Sequence, residues 1–261
     1  MEAVRLVNAS EPDAVVITGD FVCHTQAHLD ELTHVVQSFD APVFAVLGNH
    51  DHWSGANEVR WALRRGRAEV LDNVWTTITL RRQPLQVLGL DDAYTGHASW
   101  RRAVKGLDPH KATLGLSHIA EEADALWHHG VSLVLSGHTH AGQITVARLH
   151  EITVGRLVGH KYVHGLYGRR SPLEQGPLGA VYVGAGVGAA VMPLRLGERA
   201  KREVTIFELG MEAGSFDEHH AEQAPHPGRK PSDKKRLKRA ASVVRKARKR
   251  QRKNRDSNVA S

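Results

Sequence analysis

Four short stretches, three of them opened by glycine, carry residues that bind metal ions or move protons: Gly19-Asp20, Gly48-Asn49-His50-Asp51, Ser117-His118 and Gly137-His138-Thr139-His140. They bring together the carboxylate of Asp20, the amide oxygen of Asn49 and several imidazoles, with no thiolate. That set suits divalent ions of intermediate hardness such as Mn, Fe or Zn, whereas Mg would draw more oxygen. A His-x-His pair on a regular strand shows both rings on one face, but at a strand-to-loop junction the two can diverge toward neighbouring ions. Asp20 is then the carboxylate available to bridge a pair of ions.

Such residues act together only if secondary structure delivers them to one place. Each stretch follows a run of β-branched and apolar residues with the length of a buried strand: Ala14 to Thr18, Val43 to Leu47, Thr113 to Leu116 and Val131 to Leu135, with Leu85 to Leu90 as a further strand. Between the first two, Leu29, Leu32, Val35, Val36 and Phe39 recur at helical spacing over Ala27 to Phe39. Strand, helix, strand predicts a parallel crossover. In sheets so built, ligands gather at the carboxyl ends of the strands, and the glycines allow the sharp turn that follows. Ile144 to Val146, Val181 to Val183 and Val204 to Phe207 read as strands of a mixed sheet layer in the second half.

Taken in order, the motifs resemble those of the calcineurin-like metallophosphoesterase family, and residues 13 to 209 carry the resemblance. The wording Gly137-His138-Thr139-His140-Ala141-Gly142-Gln143 and Lys161-Tyr162-Val163-His164-Gly165-Leu166-Tyr167 is most similar to its YkuE-type bacterial phosphodiesterase branch. The resemblance implies an α/β fold, a four-layer α/β/β/α sandwich, and hydrolysis of a phosphodiester or phosphomonoester by a hydroxide held between two metal ions. It implies that Asp20 bridges both ions, that Asn49, His118 and His138 complete one site, and that His140 belongs to the other. His50 is implied as the group that stabilises or protonates the leaving oxygen, with Asp51 orienting it.

The sequence departs from the family pattern twice. The D-x-H motif expected before Gly19-Asp20 is absent, and residues 1 to 12 read instead as the crossover helix that would follow the missing strand, with Val4 and Val7 on one face. The expectation is a sheet without its first strand, and a first metal left with Asp20 and His140. A start assigned at an internal Met1 explains this. The alternative is a degenerate, non-catalytic member that binds phosphate or polyanions through its basic tail. The second departure is Cys23, which stands where many relatives place another acid and so removes a partner from His50.

The 261 residues are 41% hydrophobic, enough for one large core, and no run approaches the roughly 18 apolar residues that span a bilayer. The lone Cys23 fits a reducing, cytoplasmic compartment. Of the 35 Lys and Arg, 15 lie in residues 225–261, leaving 20 against 26 Asp and Glu in residues 1–224. The expected organisation is a domain over 1–209, a linker over 210–228 and a basic, disordered tail over 229–261. Residues 229–255 offer charge to nucleic acid or to the anionic inner face of a membrane. Asp91-Asp92 reads as a solvated turn, His97 as a surface residue, and Arg195 as either a phosphate contact or a structural salt bridge. Gly184 to Ala189 leaves no room before Pro193 for the helix of a dinucleotide site, and Ser117 lacks the glycine of a nucleophile elbow.

Overall fold

The computed structural model describes residues 1–23, 25–142, 159–169, 179–188, 195 and 201–210, together with Lys238, Ala241 and Arg245. The expected strand Ile144 to Val146 and most of the basic tail lie outside the described residues. Lys238, Ala241 and Arg245 are helical and exposed. Among the described residues no helix is long and apolar enough to cross a membrane.

Two sheets organise the chain into an α/β fold. The first holds β1 (Val15–Ile17), β2 (Val43–Ala45) and β3 (Ala68–Val70), all parallel, in the order β1-β2-β3. The crossover predicted from the opening residues is present: α1 (Glu2–Ala9) precedes β1, and α2 (Leu29–Gln37) joins β1 to β2. Val4 is the buried residue of α1. Helices α3 (Asn49–Ser54) and α4 (Ala56–Arg65) then lead to β3. Among the described residues β1 has a strand neighbour on one side only.

The second sheet has six strands: β4 (Val74–Leu80), β5 (Gln83–Gly89), β6 (Thr113–Leu116), β7 (Leu133–Ser136), β8 (Gly165–Arg169) and β9 (Gly179–Val183), in the order β4-β5-β6-β7-β9-β8. Its centre is parallel, and antiparallel β4 and β8 form the two edges, so the mixed layer expected of the second half is present. Helices α5 (Trp100–Ala103) and α6 (Ala123–Trp127) sit in the connections flanking β6.

Three apolar clusters bind these elements. Val36, Leu47, Val59 and Leu63 pack α2 and α4 on the outer face of the first sheet. Phe44 and Val46 of the first sheet meet Val87, Leu114, Leu116, Leu135 and Tyr182 of the second. Leu126, Trp127, Val131 and Tyr162 cover that sheet's far face. Burial of this kind is the main stabilising term, at roughly 25 cal/mol per Å² of apolar surface. The Thr33 hydroxyl donates to Ala62 O at 3.0 Å and ties α2 to α4.

Val204 to Phe207, expected as a strand, has none assigned. The Thr205 hydroxyl donates to Glu203 Oε1 at 2.6 Å, Phe207 packs on the Tyr182 ring, and Ile206 is 68% exposed. Side-chain bonds and one aromatic contact hold this segment where ladder bonds were expected.

Candidate metal centre

The four motifs meet where β1, β2, β6 and β7 end, two strands from each sheet. The convergence foreseen at one sheet edge therefore takes place across two facing sheets. Gly19 (φ 94) and Gly48 press together: a Cβ on Gly19 would stand 2.5 Å from Gly48 N, and one on Gly48 would overlap Asp20 Oδ1 and come within 2.8 Å of His118 Cε1. Only glycine lets these loops close on Asp20.

The close approach has a backbone cost. Asp20 (φ 60), His138 (φ 69), His140 (φ 49) and Ala141 (φ 52) all occupy the left-handed region. Non-glycine residues held there cost on the order of 1–3 kcal/mol each and gather at functional sites.

His118 Nε2 is the centre of the arrangement. Asn49 Oδ1 lies 3.1 Å from it, His138 Nδ1 3.2 Å and Asp20 Oδ2 3.3 Å. Asp20, His118 and His138 form a group of donors that could hold a metal ion. Donors bound at about 2.1 Å from one ion stand roughly 3.0–3.4 Å from each other, so this spacing fits a coordination sphere. The other nitrogen of His118 donates to Thr18 O at 2.6 Å, which turns Nε2 toward the donors. Glycine contacts that a Cβ would fill, strained ligand residues and this donor set all fit a divalent cation.

Electrostatics agree with the geometry. Burial works against charge on His118, but the Asp20 carboxylate overcomes it and raises the imidazole to about 9. Burial likewise works against charge on Asp20, and His118 overcomes that, holding the carboxyl far below its ordinary range. Burial, then the charge of His118, keeps His138 well below the usual imidazole value, and burial lowers His140. The cluster thus accepts one proton readily and resists the next.

His138 and His140 part company, as expected of a His-x-His pair at a strand end. His138 joins the donor group, while His140 Nε2 is buried with no hydrogen-bond partner among the described residues and its Nδ1 lies 3.5 Å from Arg195 Nη2. The guanidinium of Arg195 also donates to the carbonyls of Ala185, Gly188 and Lys201. These bonds hold the guanidinium beside His140.

Asp51, expected to orient His50, is engaged with main chain. Its fully buried carboxylate accepts from Gly48 N and Asp20 N at 2.9 Å and from Val22 N at 3.1 Å, locking the two glycine loops together. Burial, then the Asp20 charge, pushes Asp51 up to about 7 against the opposing pull of the Gly48 and Val22 N–H groups. His50 is held instead by the backbone carbonyl of Cys23, 2.8 Å from Nδ1, so the missing acid at that position is replaced by main chain. With Nδ1–H given to a carbonyl, Nε2 is the nitrogen that exchanges a proton.

Asp91 and Asp92 are buried, not solvated. Asp91 Oδ1 meets His52 Nε2 at 2.6 Å, and its other oxygen accepts from Arg60 at 3.1 Å. Burial would raise Asp91, and His52 reverses this to leave it lowered. Asp92 accepts from Thr95 N at 2.7 Å and from Tyr94 N at 3.2 Å, shaping a turn that lays the Tyr94 ring 5.2 Å from that of His138. His97, though exposed, stacks on His52 at 3.9 Å. His52 and Tyr94 had no motif to mark them. The available signals were a second histidine following Gly48-Asn49-His50-Asp51 and an acidic pair closing a strand two residues before a hydroxyl.

The chain is 29% identical over 212 residues to the metallophosphoesterase YkuE of Bacillus subtilis, covering 79% of this chain and 71% of that one. A metallophosphoesterase of Aquifex aeolicus is 30% identical, covering 74% of this chain and 71% of its own length. Phosphodiesterase YaeI of Escherichia coli is 28% identical, covering 80% and 74%. The family model described as calcineurin-like phosphoesterase matches residues 1–142. That match takes in more than half of the chain and every motif from Gly19 to His140, so the chain belongs to the calcineurin-like phosphoesterase family.

Proposed function

We propose that this protein is a metal-dependent phosphoesterase whose four-layer sandwich holds the reaction between its two sheets, within a domain spanning residues 1–209. The observation that carries the reading is the placement of Asn49, His138 and Asp20 donors within 3.3 Å of His118 Nε2. Those four residues would hold one divalent cation, of the Mn, Fe or Zn type suggested by an N/O donor set. Asp20 and His140 would contribute to a second. Bound ions supply Lewis-acid activation of water and neutralise charge on the phosphoryl oxygens.

The chain's own residues do the rest. Asp51 keeps the Asp20 and Gly48 loops in register, and Thr18 O keeps His118 Nε2 directed at the donors. His50, braced through Nδ1 by Cys23 O, gives a proton from Nε2 to the leaving oxygen. The phosphodiesterase name of YaeI favours a diester substrate for this chain as well.

The test is Mn-dependent hydrolysis of bis-p-nitrophenyl phosphate and p-nitrophenyl phosphate by the chain, beside an Asn49→Ala variant. Turnover that needs metal and is lost in the variant is expected, with the diester cleaved faster. Mn binding without turnover of either ester would sink the catalytic reading in favour of a phosphate-binding role.

A further inference from the structure

The metal donors stand on two different sheets, so their geometry depends on how those sheets are held together at this end. Asn49 comes from α3, which follows β2 of the first sheet, and His118 follows β6 of the second. Helix α3 spans only Asn49–Ser54, starts at Gly48 and stops at Gly55 with φ 123. So short a helix does not fix its own orientation; its contacts must.

Asp51 secures its start, as described above. The other contact is made by His52. Residues three apart share a helix face, so the face that carries Asn49 toward His118 also carries His52. The His52 ring, 8% exposed, meets Asp91 Oδ1 at 2.6 Å. Asp91 follows β5 of the second sheet: β5 pairs with β6 at Gly89 and Leu116, and Leu90 N donates to Leu116 O at 2.9 Å. Carried past the last paired residues, that register sets Leu90 level with Ser117 and Asp91 level with His118.

The carboxylate is itself held from both sides. Asp91 Oδ2 accepts from Arg60 Nη2, and Arg60 Nε donates to Asp72 at 2.8 Å. The His97 ring stacks over His52 at 18° and closes the pair from the outside. Buried charge tolerated in this way is satisfied charge, and removing one partner leaves the other exposed to the full desolvation cost. Such a contact has a narrow range of acceptable positions, which is what a positioning device requires.

We propose that His52 and Asp91 form a clamp between the two sheets that sets Asn49 against His118, making both of them positioning residues for metal binding. The inference rests on the reading of Asp20, Asn49, His118 and His138 as a metal site, but it goes beyond it. Neither residue touches the ion. The clamp acts through the placement of α3.

The experiment titrates Mn into the metal-stripped full chain by calorimetry and measures thermal unfolding of each protein in chelator. The proteins are the wild type, His52→Gln, Asp91→Asn, the double variant, and Leu126→Ala, a core truncation on the far face of the second sheet. Each clamp variant is expected to bind Mn about 10–100-fold more weakly, the range for loss of an outer-shell partner. The double variant should be no weaker than the worse single one, because the two residues act as a unit. Leu126→Ala should lose thermal stability yet bind Mn as the wild type does. Clamp variants that bind within twofold of wild type overturn the inference and leave the metal site standing, as does a Leu126→Ala protein weakened to the same degree. A wild type that takes up no Mn overturns both. Should Asp91→Asn fail to fold, His52→Gln alone decides.

Discussion

The rim contributed by the first sheet and the rim contributed by the second are built on different plans. In the first, Asp51 collects the N–H groups of Gly48, Asp20 and Val22, so the two glycine loops are tied to each other by a side chain of their own rim. In the second, the histidines are steadied from outside. Thr18 O holds His118, the Thr139 hydroxyl donates to Val163 O, and the rings of Tyr94 and His160 lie 5.2 and 5.1 Å from that of His138. One rim is held by hydrogen bonds that exist without an ion. The other brings imidazoles together around a single carboxylate, and His140 Nε2 keeps an unmet partner. The contrast separates two requirements of a metal centre, a rigid frame and a set of donors that a cation satisfies better than protons do.

If that division is right, removing a donor and removing the frame should fail in different assays. The largest effect belongs to His118→Ala. It deletes the nitrogen on which the other three donors centre, so Mn affinity measured by calorimetry should fall by more than the roughly 10–100-fold that loss of an outer-shell partner costs. Hydrolysis should go with it. Stability in chelator should fall as well, because the buried Asp20 carboxylate loses the imidazole that offsets its burial, so the Mn titration is the assay that sets this variant apart. A His118→Ala protein that still binds Mn tightly would remove the centre from the site.

Asp51→Ala tests the frame. It strands three backbone N–H groups in the interior, each worth about 1–3 kcal/mol unsatisfied, and leaves a small cavity besides. A loss of about 3–5 kcal/mol in urea unfolding is expected, with metal present or absent. Asp51→Asn keeps the shape and one acceptor oxygen and should lose less. Equal losses in the two variants would show that the cavity, and not the hydrogen bonds, sets the cost.

The same contrast explains what could be read in the sequence. The strands ending at Gly19, Gly48, Ser117 and Gly137 were legible because buried parallel strands are continuous apolar runs, and the glycines announce the turns. The donors were legible because ligand chemistry limits the residue types. The loop-tying bonds of Asp51 were not legible because a carboxylate next to a histidine in sequence suggests a pair, whereas this one turns back to the loops. Asp91 was misplaced because two adjacent acids look solvated, and their buried partners, His52 and Arg60, lie more than thirty residues away in sequence. The edge strands β3, β4 and β8 and the helices α3 to α6 were not foreseen. Helices α3, α5 and α6 have too few turns to show a period, and edge strands lack a fully apolar face.

The smallest expected effect lies behind the second rim, where Glu203 bonds His164 at 2.8 Å and accepts from Thr205, Tyr182 and Ala185 N. Burial would raise this carboxyl, but His164 and the hydroxyls hold it at about 2, below its ordinary value of 4.5. A carboxyl depressed on folding contributes stability that is fully present above the unfolded value and is lost as pH falls through the folded one. Wild-type unfolding midpoints should therefore decline from pH about 4.5 toward 2 in part through this group. Glu203→Gln should start lower at neutral pH, and its gap to wild type should narrow over that window as the wild-type carboxyl takes up its proton. The group is partly exposed, so solvent screening keeps the effect modest. Mn affinity at neutral pH should be unchanged, because the donors around His118 are not among its partners. A gap that stays constant from pH 7 to 2 would show that Glu203 acts by shape alone. A change in Mn affinity would show that this outer support reaches the donors, and the line between frame and donors would have to be redrawn to include it.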